Sequence, residues 1–520
     1  LSALMGVLDA KKNVRIERAV RRYEMLTAEK TLTMDYELLD SPQVNAIKSR
    51  MLDDRNWGAG FYSVYGQWES GMGVFVHLAA SIGIAVPLLV AFPAGLWALP
   101  ALLGVAVGAS LLNARFGVGK ELRLMNEVGS AQRSLANHFI FNATADVRRG
   151  KDVRLYGAQK LIRERIEGEW PRYLQWMRRF SRAGMAGGAC GAVPEGLLQG
   201  GAYLCAVLGA LSGALSAGAV LRFGAALYSL AQDCVRLANL LSEMTATARR
   251  QESTYHYLNV PNALYRGTLA VEKRFDNEFE IAFHNVSFRY PGAQDYALKN
   301  LNLTLRVGER MAVVGRNGSG KTTMIKLLCR LYDPTEGVIT LNGIDIRKYR
   351  YEEYQALFAV VFQDFRLFSF PLGQNVGASV EYDRAAAESA LLRAGFGERL
   401  STMPRGLNTP LYSNYDASGV EISGGEAQKI ALARALYKAE AGDPPAPFIV
   451  LDEPTAALDP IAEADVYARF NGIVAGKTAV YISHRLSSCR FCDDICVFDG
   501  GHLVQRGSHE ALLKEENGVY

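Results

Sequence analysis

Residues 70–114 contain no Asp, Glu, Lys or Arg, and those 45 positions constrain the chain more than any other feature. As helix they would extend roughly 68 Å at ~1.5 Å per residue, about twice a ~30 Å hydrocarbon core. Pro93, Ala94 and Gly95 near the middle supply a turn, so the run predicts a hairpin of two membrane helices over about 71–92 and 95–114. Between Arg182 and Arg222 only Glu195 is charged, which predicts a third span over about 184–210 and a turn near 212–217. A fourth, less apolar span over about 218–242 carries Arg222, Asp233 and Arg236. Each stretch also fits a buried core helix of a soluble protein. Uncharged length argues against that for 70–114; for the fourth span only its pairing with the third does.

The flanks orient the spans. Residues 11–50 hold nine Lys or Arg and residues 115–182 hold fifteen, whereas both short turns hold none. Positive charge accumulates on the cytoplasmic side, so the long charged segments belong there and the turns outside, in a multi-pass protein of the cell membrane. The segment LIRERIEGEWPRYLQWMRRF is helical in character and extends the spans as a cytoplasmic stalk. Across all 520 residues, 49% hydrophobic and 21% charged side chains exclude a disordered chain. The net charge of +4 gives no excess for nucleic acid. Among the seven Cys, Cys190, Cys205 and Cys234 lie in apolar stretches. There a free thiol acts as a small hydrophobe. Cys489, Cys492 and Cys496 have metal-like spacing but no nearby fourth ligand except His502, so the stretch SSCRFCDDICVFDG reads better as helix end, turn and strand than as a metal site.

After Met244 a polar stretch links to a second region, where short β-like runs alternate with helical patterns from Phe279 onward. That alternation predicts an α/β domain with a mostly parallel sheet. Gly315, Arg316, Asn317, Gly318, Ser319, Gly320, Lys321 and Thr322 form a P-loop pattern between the strand-like MAVVG and the helix-like TTMIKLLCRLY, the context the pattern requires. Glycines let backbone N–H groups curl around phosphate oxygens, and the helix N-terminus adds partial positive charge. Lys321 would reach the outer phosphates and the Thr322 hydroxyl would ligate Mg²⁺. The apolar run FIVLD ends in Asp452 and Glu453. At the C-terminal edge of a parallel strand, Asp452 would hold Mg²⁺ and Glu453 would polarise an attacking water.

Ile422, Ser423, Gly424, Gly425 and Glu426, followed by AQKIALARAL, resemble the signature motif of ABC transporters, commonly LSGGQ. The resemblance covers nearly all of 279–520. It implies that Tyr290 in FRYPG stacks on adenine, that Thr323 joins the nucleotide site, and that Gln363 in VVFQD is the Q-loop Mg²⁺ ligand. It further implies that Asp459 in TAALD belongs to the D-loop and that His484 in YISHR is the switch histidine. Catalysis would then rest on Glu453, His484 and Lys321, with ATP and Mg²⁺ as cofactors and Thr322, Gln363 and Asp452 as metal ligands.

The first half resembles the membrane part of an exporter-type half-transporter. An all-α membrane domain (1–265) would precede an α/β P-loop NTPase domain (279–520). Such halves have six membrane helices. The chain begins at Leu1, so the first helix and most of the second are expected upstream. Bends near 40–44 and 143–152 would be coupling helices. The signature departs from the family at Glu426, but Ser423 and Gly425 are intact.

In this family ATP lies between one chain's P-loop and another's signature, so a second half-transporter, identical or homologous, is implied. The function implied is ATP-driven export of an unidentified lipid, drug or peptide. An exporter-fold importer and one half of a heterodimer with a degenerate site remain alternatives; a soluble ABC ATPase fits the charge-free run poorly. Within the membrane half, Glu195 reads either as a site for a cationic substrate or as a helix-packing residue.

Overall fold

A computed structural model describes residues 2–56, 60–91, 100–102, 104–105, 108, 120, 123–124, 147–213, 215–272, 279–414, 416–453, 477–483, 489, 492–515 and 518–520. It divides into two units. Leu1–Met34 with Gln43–Pro261 forms the first, and Asp35–Pro42 with Asn262–Tyr520 the second.

Long runs of helix formers with few breakers make the first unit predominantly helical, with short turns, among its described residues. Its elements are α1 (Ser2–Thr33) and, after the one-turn α2 (Tyr36–Asp40), α3 (Pro42–Asp54), α4 (Phe61–Ala91), α5 (Val147–Leu155), α6 (Gln159–Leu211) and α7 (Ala217–Leu258). α2 itself packs with the second unit. α6 has 53 residues and α7 has 42. At ~1.5 Å per residue they extend roughly 80 Å and roughly 63 Å, far beyond a ~30 Å hydrocarbon core. The spans expected over 184–210 and 218–242 therefore lie inside longer unbroken helices, and the turn between them includes 212–213 and 215–216. The span expected from residue 71 begins at Phe61. Phe61–Pro87, with 27 residues at mean hydropathy 1.5, is among the described residues the one helix of membrane-crossing length and apolarity. Most of the hairpin partner expected over 95–114 lies outside the described residues.

Small side chains let these helices approach. Leu198, Ala202 and Ala206 of α6 form one buried cluster with Phe223, Leu227 and Ala231 of α7 and with Ala85 and Leu89 of α4. A Cβ at Gly224 would meet the Tyr203 ring at 2.5 Å, so glycine is what seats that ring against α7. The outward faces are also apolar: Phe75, Val76, Val90, Leu204, Leu211 and Leu221 are all exposed. A helix apolar on both faces is a poor match for water.

The second unit runs β1 (Glu280–Phe288), β2 (Leu298–Arg306), β3 (Arg310–Gly315), α8 (Lys321–Leu328), β4 (Glu336–Leu341), β5 (Ile344–Asp345), α9 (Tyr351–Ala356), β6 (Phe358–Val361), α10 (Leu372–Gly377), α11 (Arg384–Arg393), α12 (Gly397–Ser401), α13 (Gly424–Ala441), β7 (Phe448–Asp452), β8 (Thr478–Ile482), β9 (Asp494–Asp499), β10 (His502–Gly507) and α14 (His509–Leu512). Two sheets result. One is antiparallel, in the order β2-β1-β4-β5; the other follows β10-β9-β3-β8-β7-β6. In the six-stranded sheet every pairing is parallel except that of β10 with β9. β7 and β8 are buried at every position, as strands covered on both faces must be.

Register sets up the chemistry. Ile482 of β8 pairs with Val313 of β3 on one side and with Asp452 of β7 on the other. The carboxyl ends of β3 and β7 are thereby aligned across a single strand, where α/β sheets hold their ligands. Phe279, Val286, Met324 and Leu328 contribute to one core between the sheets and α8. A second core joins α10, α11 and α13 to β6 and β7. Cys489 and Cys496 are buried. Burial pushes the Cys496 thiol up to about 12, so it stays protonated and behaves as a small apolar group.

Candidate nucleotide site

The loop after β3 must turn back on itself without side chains in the way. Gly315 adopts φ +148°, and a Cβ there would lie 2.1 Å from the Phe498 carbonyl oxygen of β9, so only glycine fits. Gly318 has φ +79° and faces open space. α8 then starts at Lys321, with Gly320 as its N-cap. A cleft of about 860 Å³ opens over this loop, lined by 315–318, 320–323, Tyr290, Gln363 and Glu453 among others.

The side chains converge as follows. Lys321 Nζ donates to the carbonyls of Gly315 and Arg316, each at 2.9 Å, and so spans its own loop. Burial lowers the Lys321 pKa, while the charges of Glu453 and Asp452 act in the opposite direction. Thr322 Oγ1 donates to Asp452 Oδ2 at 2.9 Å. Asp452 is 2% exposed, and burial pushes its carboxyl up to about 6 despite the Thr322 hydrogen bond. Glu453 sits one residue past β7 at φ +48°, with its N–H on the Ile482 carbonyl at 3.1 Å. This left-handed step turns its side chain away from the strand, where Gln363 Nε2 donates to Oε2 at 2.8 Å. Ser319 Oγ is buried and makes no hydrogen bond among the described residues.

Those features fit a nucleotide and a hard cation. An orphaned buried hydroxyl in a loop of backbone donors is an unfilled demand for an acceptor such as a phosphate oxygen. Thr322 and Asp452 present two oxygens side by side, the donor type Mg²⁺ takes.

Tyr290 is fixed from several sides. Its hydroxyl shares a 3.0 Å hydrogen bond with Thr323 Oγ1, and its ring meets Phe288 and Tyr332 edge-on at 5.0 and 5.5 Å. Lys326 of α8 places its ammonium 5.3 Å from the Tyr290 ring centre. Tyr332, fully buried, in turn donates to Asp40 of α2 at 2.7 Å, and Tyr36 of α2 packs edge-on against it. α2 ends at Asp40, where a coupling helix was expected only from residue 40 onward.

The signature residues lie elsewhere in the unit. Ser423 is the N-cap of α13, and Glu426 completes a capping box: its carboxylate accepts from the Ser423 N–H at 2.8 Å, while its own N–H reaches Ser423 Oγ at 3.3 Å. Arg399 of α12 forms an ion pair with the other Glu426 oxygen at 2.8 Å. Glu in place of Gln thus has a structural role. None of 423–426 lines the 860 Å³ cleft, but Gly424 borders an adjoining cavity of about 320 Å³ with Gln363, Gln428, Asp452 and Glu453. His484 and Asp459 lie outside the described residues.

Sequence reasoning missed Gln428, whose amide reaches the Glu453 carbonyl at 3.4 Å, and it missed Tyr332, Lys326 and Arg399. Their only local signal was position: Gln428 one turn after the signature, Lys326 about one turn after the P-loop lysine, Tyr332 just beyond α8 and Arg399 on a separate helix.

A P-loop followed by a helix, and an acidic strand edge one strand away, define a P-loop NTPase. Residues 298–456 match the family described as ABC transporter. The ATP-dependent lipid A-core flippase of Yersinia pestis is 31% identical over 428 residues, covering 80% of this chain and 68% of that protein. The flippase of the same name from Alkalilimnicola ehrlichii is 32% identical over 383 residues, 72% of this chain and 62% of that protein. A solved structure of a bacterial Atm1-family ABC exporter with ATP bound has the same fold, with a TM-score of 0.74 at 22% identity over 96% of this chain and 84% of that one. The chain belongs to the ABC transporters, and to the exporter type in which a helical region precedes the ATPase domain. It spans less than two thirds of the length of the Alkalilimnicola flippase.

Proposed function

We propose that this chain is one half of an ATP-driven export pump of the cell membrane, moving an amphipathic substrate, and that it works as a pair with a second, identical or homologous chain. Residues 1–265 would form the membrane domain, with further helices upstream, and 279–520 the cytoplasmic ATPase. The observation that carries this reading is the placement of Glu453 beside Lys321, Thr322 and Asp452 at aligned strand ends, on the same chain as helices that are apolar both inside and out. Relatives named as lipid A-core flippases support a lipid or lipid-like cargo.

The residues divide the work. Tyr290, held edge-on by its neighbours, offers a flat ring to the adenine base. The backbone of 315–320 and Lys321 bind the phosphates. Thr322, Asp452 and Gln363 would hold Mg²⁺, which neutralises phosphate charge when bound. Glu453 accepts a proton from the attacking water, and Gln363 fixes the carboxylate that does so. By the family pattern His484 stabilises charge on the outer phosphate, while Ser423 to Gly425 and Asp459 serve the facing chain's site. The separation of 423–426 from the cleft fits that division.

Turnover of the full chain in lipid nanodiscs tests this. Glu453→Gln should bind ATP as wild type does and lose at least ~100-fold in hydrolysis, the range for removing a general base. Full hydrolysis by that variant would remove Glu453 from its role.

A further inference from the structure

We propose that Glu195, with Tyr228 and Gln232, forms a recognition site for a positively charged nitrogen on an amphipathic substrate. The inference rests on the export reading and narrows its substrate class.

The starting point is a charge with no counter-charge among the described residues. Glu195 is the single charged residue between Arg182 and Arg222, and it opens the apolar stretch Glu195–Leu211 of α6. An ion in such a helix is costly unless a partner or a polar cavity receives it. Its partners here are neutral. Tyr228 Oη donates to Glu195 Oε1 at 3.1 Å, and Gln232 Nε2 donates to the same oxygen at 2.8 Å. The two donors stand one turn apart on α7, so they reach a common point across the helix pair. Among the described residues Glu195 forms no ion pair, and Oε2 accepts no hydrogen bond. Tyr228 and Gln232 therefore hold the carboxylate in place without cancelling its charge. The residue is exposed, so the free oxygen is not packed into the helix core.

The neighbouring acid shows what a purely structural carboxylate looks like in this unit. Asp233 is 2% exposed, accepts from Ser81 Oγ of α4 at 2.6 Å and pairs with Arg236 at 3.3 Å. Both of its oxygens are used, and Arg236 is committed to it. Asp233 ties α4 to α7; Glu195, in the same bundle, is left with an unused oxygen and a net charge.

The chemistry that completes Glu195 is a cationic nitrogen. A hard metal ion would need several oxygen ligands, and only one carboxylate is available. An ammonium or amidinium group donates to Oε2 and supplies the missing charge.

Full-length chain in phosphatidylglycerol nanodiscs, titrated with rhodamine 123 and read by fluorescence anisotropy, tests the site. Fluorescein, of similar shape but anionic, is the control. We expect Glu195→Gln, which keeps size and hydrogen bonding, to weaken rhodamine 123 binding at least tenfold with basal ATPase unchanged. Tyr228→Phe should weaken it a few-fold, and fluorescein binding should not change in either variant. Competition by phosphatidylethanolamine added to the nanodiscs would assign the nitrogen to a lipid headgroup; its absence would assign it to a soluble cation. The proposal is overturned if wild type does not bind rhodamine 123, if Glu195→Gln binds it within twofold of wild type, or if fluorescein binding falls equally. If dye binding depends on Glu195 but ATP drives no transport, the export reading fails and the site stands.

Discussion

Glu453 and Glu195 are both carboxylates aimed at open space, and they are built in opposite ways. Glu453 follows a fully buried strand, adopts a left-handed backbone conformation, and faces a cleft lined by Lys321 and Gln363. Glu195 lies on a continuous helix and owes its setting to two side chains more than 30 positions away. The first site is made of backbone shape and strand edges, which a short run of sequence encodes. The second exists only because two long helices meet at one register.

That difference orders the expected effects of substitution. The largest falls on the backbone-built site. Lys321→Ala removes the cation that spans the loop, and ATPase activity should fall to background, measured as phosphate release in nanodiscs. Gly315→Ala forces a Cβ onto the Phe498 carbonyl and a conformation that L-residues avoid; about 1–3 kcal/mol of stability should be lost, read from thermal unfolding of the α/β unit's signal. In the helical unit, Asp233→Leu removes the acceptor shared by Ser81 and Arg236, leaving Ser81 only its hydrogen bond with Ser229. It should destabilise the bundle by about 1–3 kcal/mol while leaving the nucleotide affinity of the α/β unit intact. Equal losses in both readouts would break the contrast between the units.

Two smaller effects sharpen it. Glu426→Gln would restore the family's usual residue but lose the ion pair with Arg399. We expect at most ~1 kcal/mol of stability change, since the amide still closes the capping box. Tyr332→Phe removes only the hydroxyl that reaches Asp40; ATP affinity should change by less than about threefold, because the ring still supports Tyr290. A tenfold loss there would mean that the contact with α2, not the ring, holds the adenine platform.

The legibility of the chain follows the same division. The P-loop, the acidic strand end and the alternation of strands and helices are local patterns, so the α/β fold is readable from the residues alone. The pairing of Ile482 with both Val313 and Asp452 is not, because register between strands distant in sequence leaves no local mark. Nor is the tie from Tyr290 through Tyr332 to Asp40, whose partners are 292 positions apart. In the helical half, uncharged length locates helices but not their ends: α4 starts ten residues before the span expected from residue 71, because a helix does not stop where its charge-free run does and Glu69 is itself compatible with helix. Glu195 is visible in the sequence as an isolated charge, but its partners Tyr228 and Gln232 are not, and whether it is structural turns on them.

The most direct test is ATP-dependent movement in sealed proteoliposomes whose ATPase domains face outward, with rhodamine 123 in the outer medium. We expect ATP to drive the dye into the lumen in wild type. Glu453→Gln should abolish accumulation while still binding ATP, and Glu195→Gln should abolish it while still hydrolysing ATP. Accumulation of dye by the Glu453→Gln protein at the wild-type rate would contradict an ATP-driven pump powered at this site.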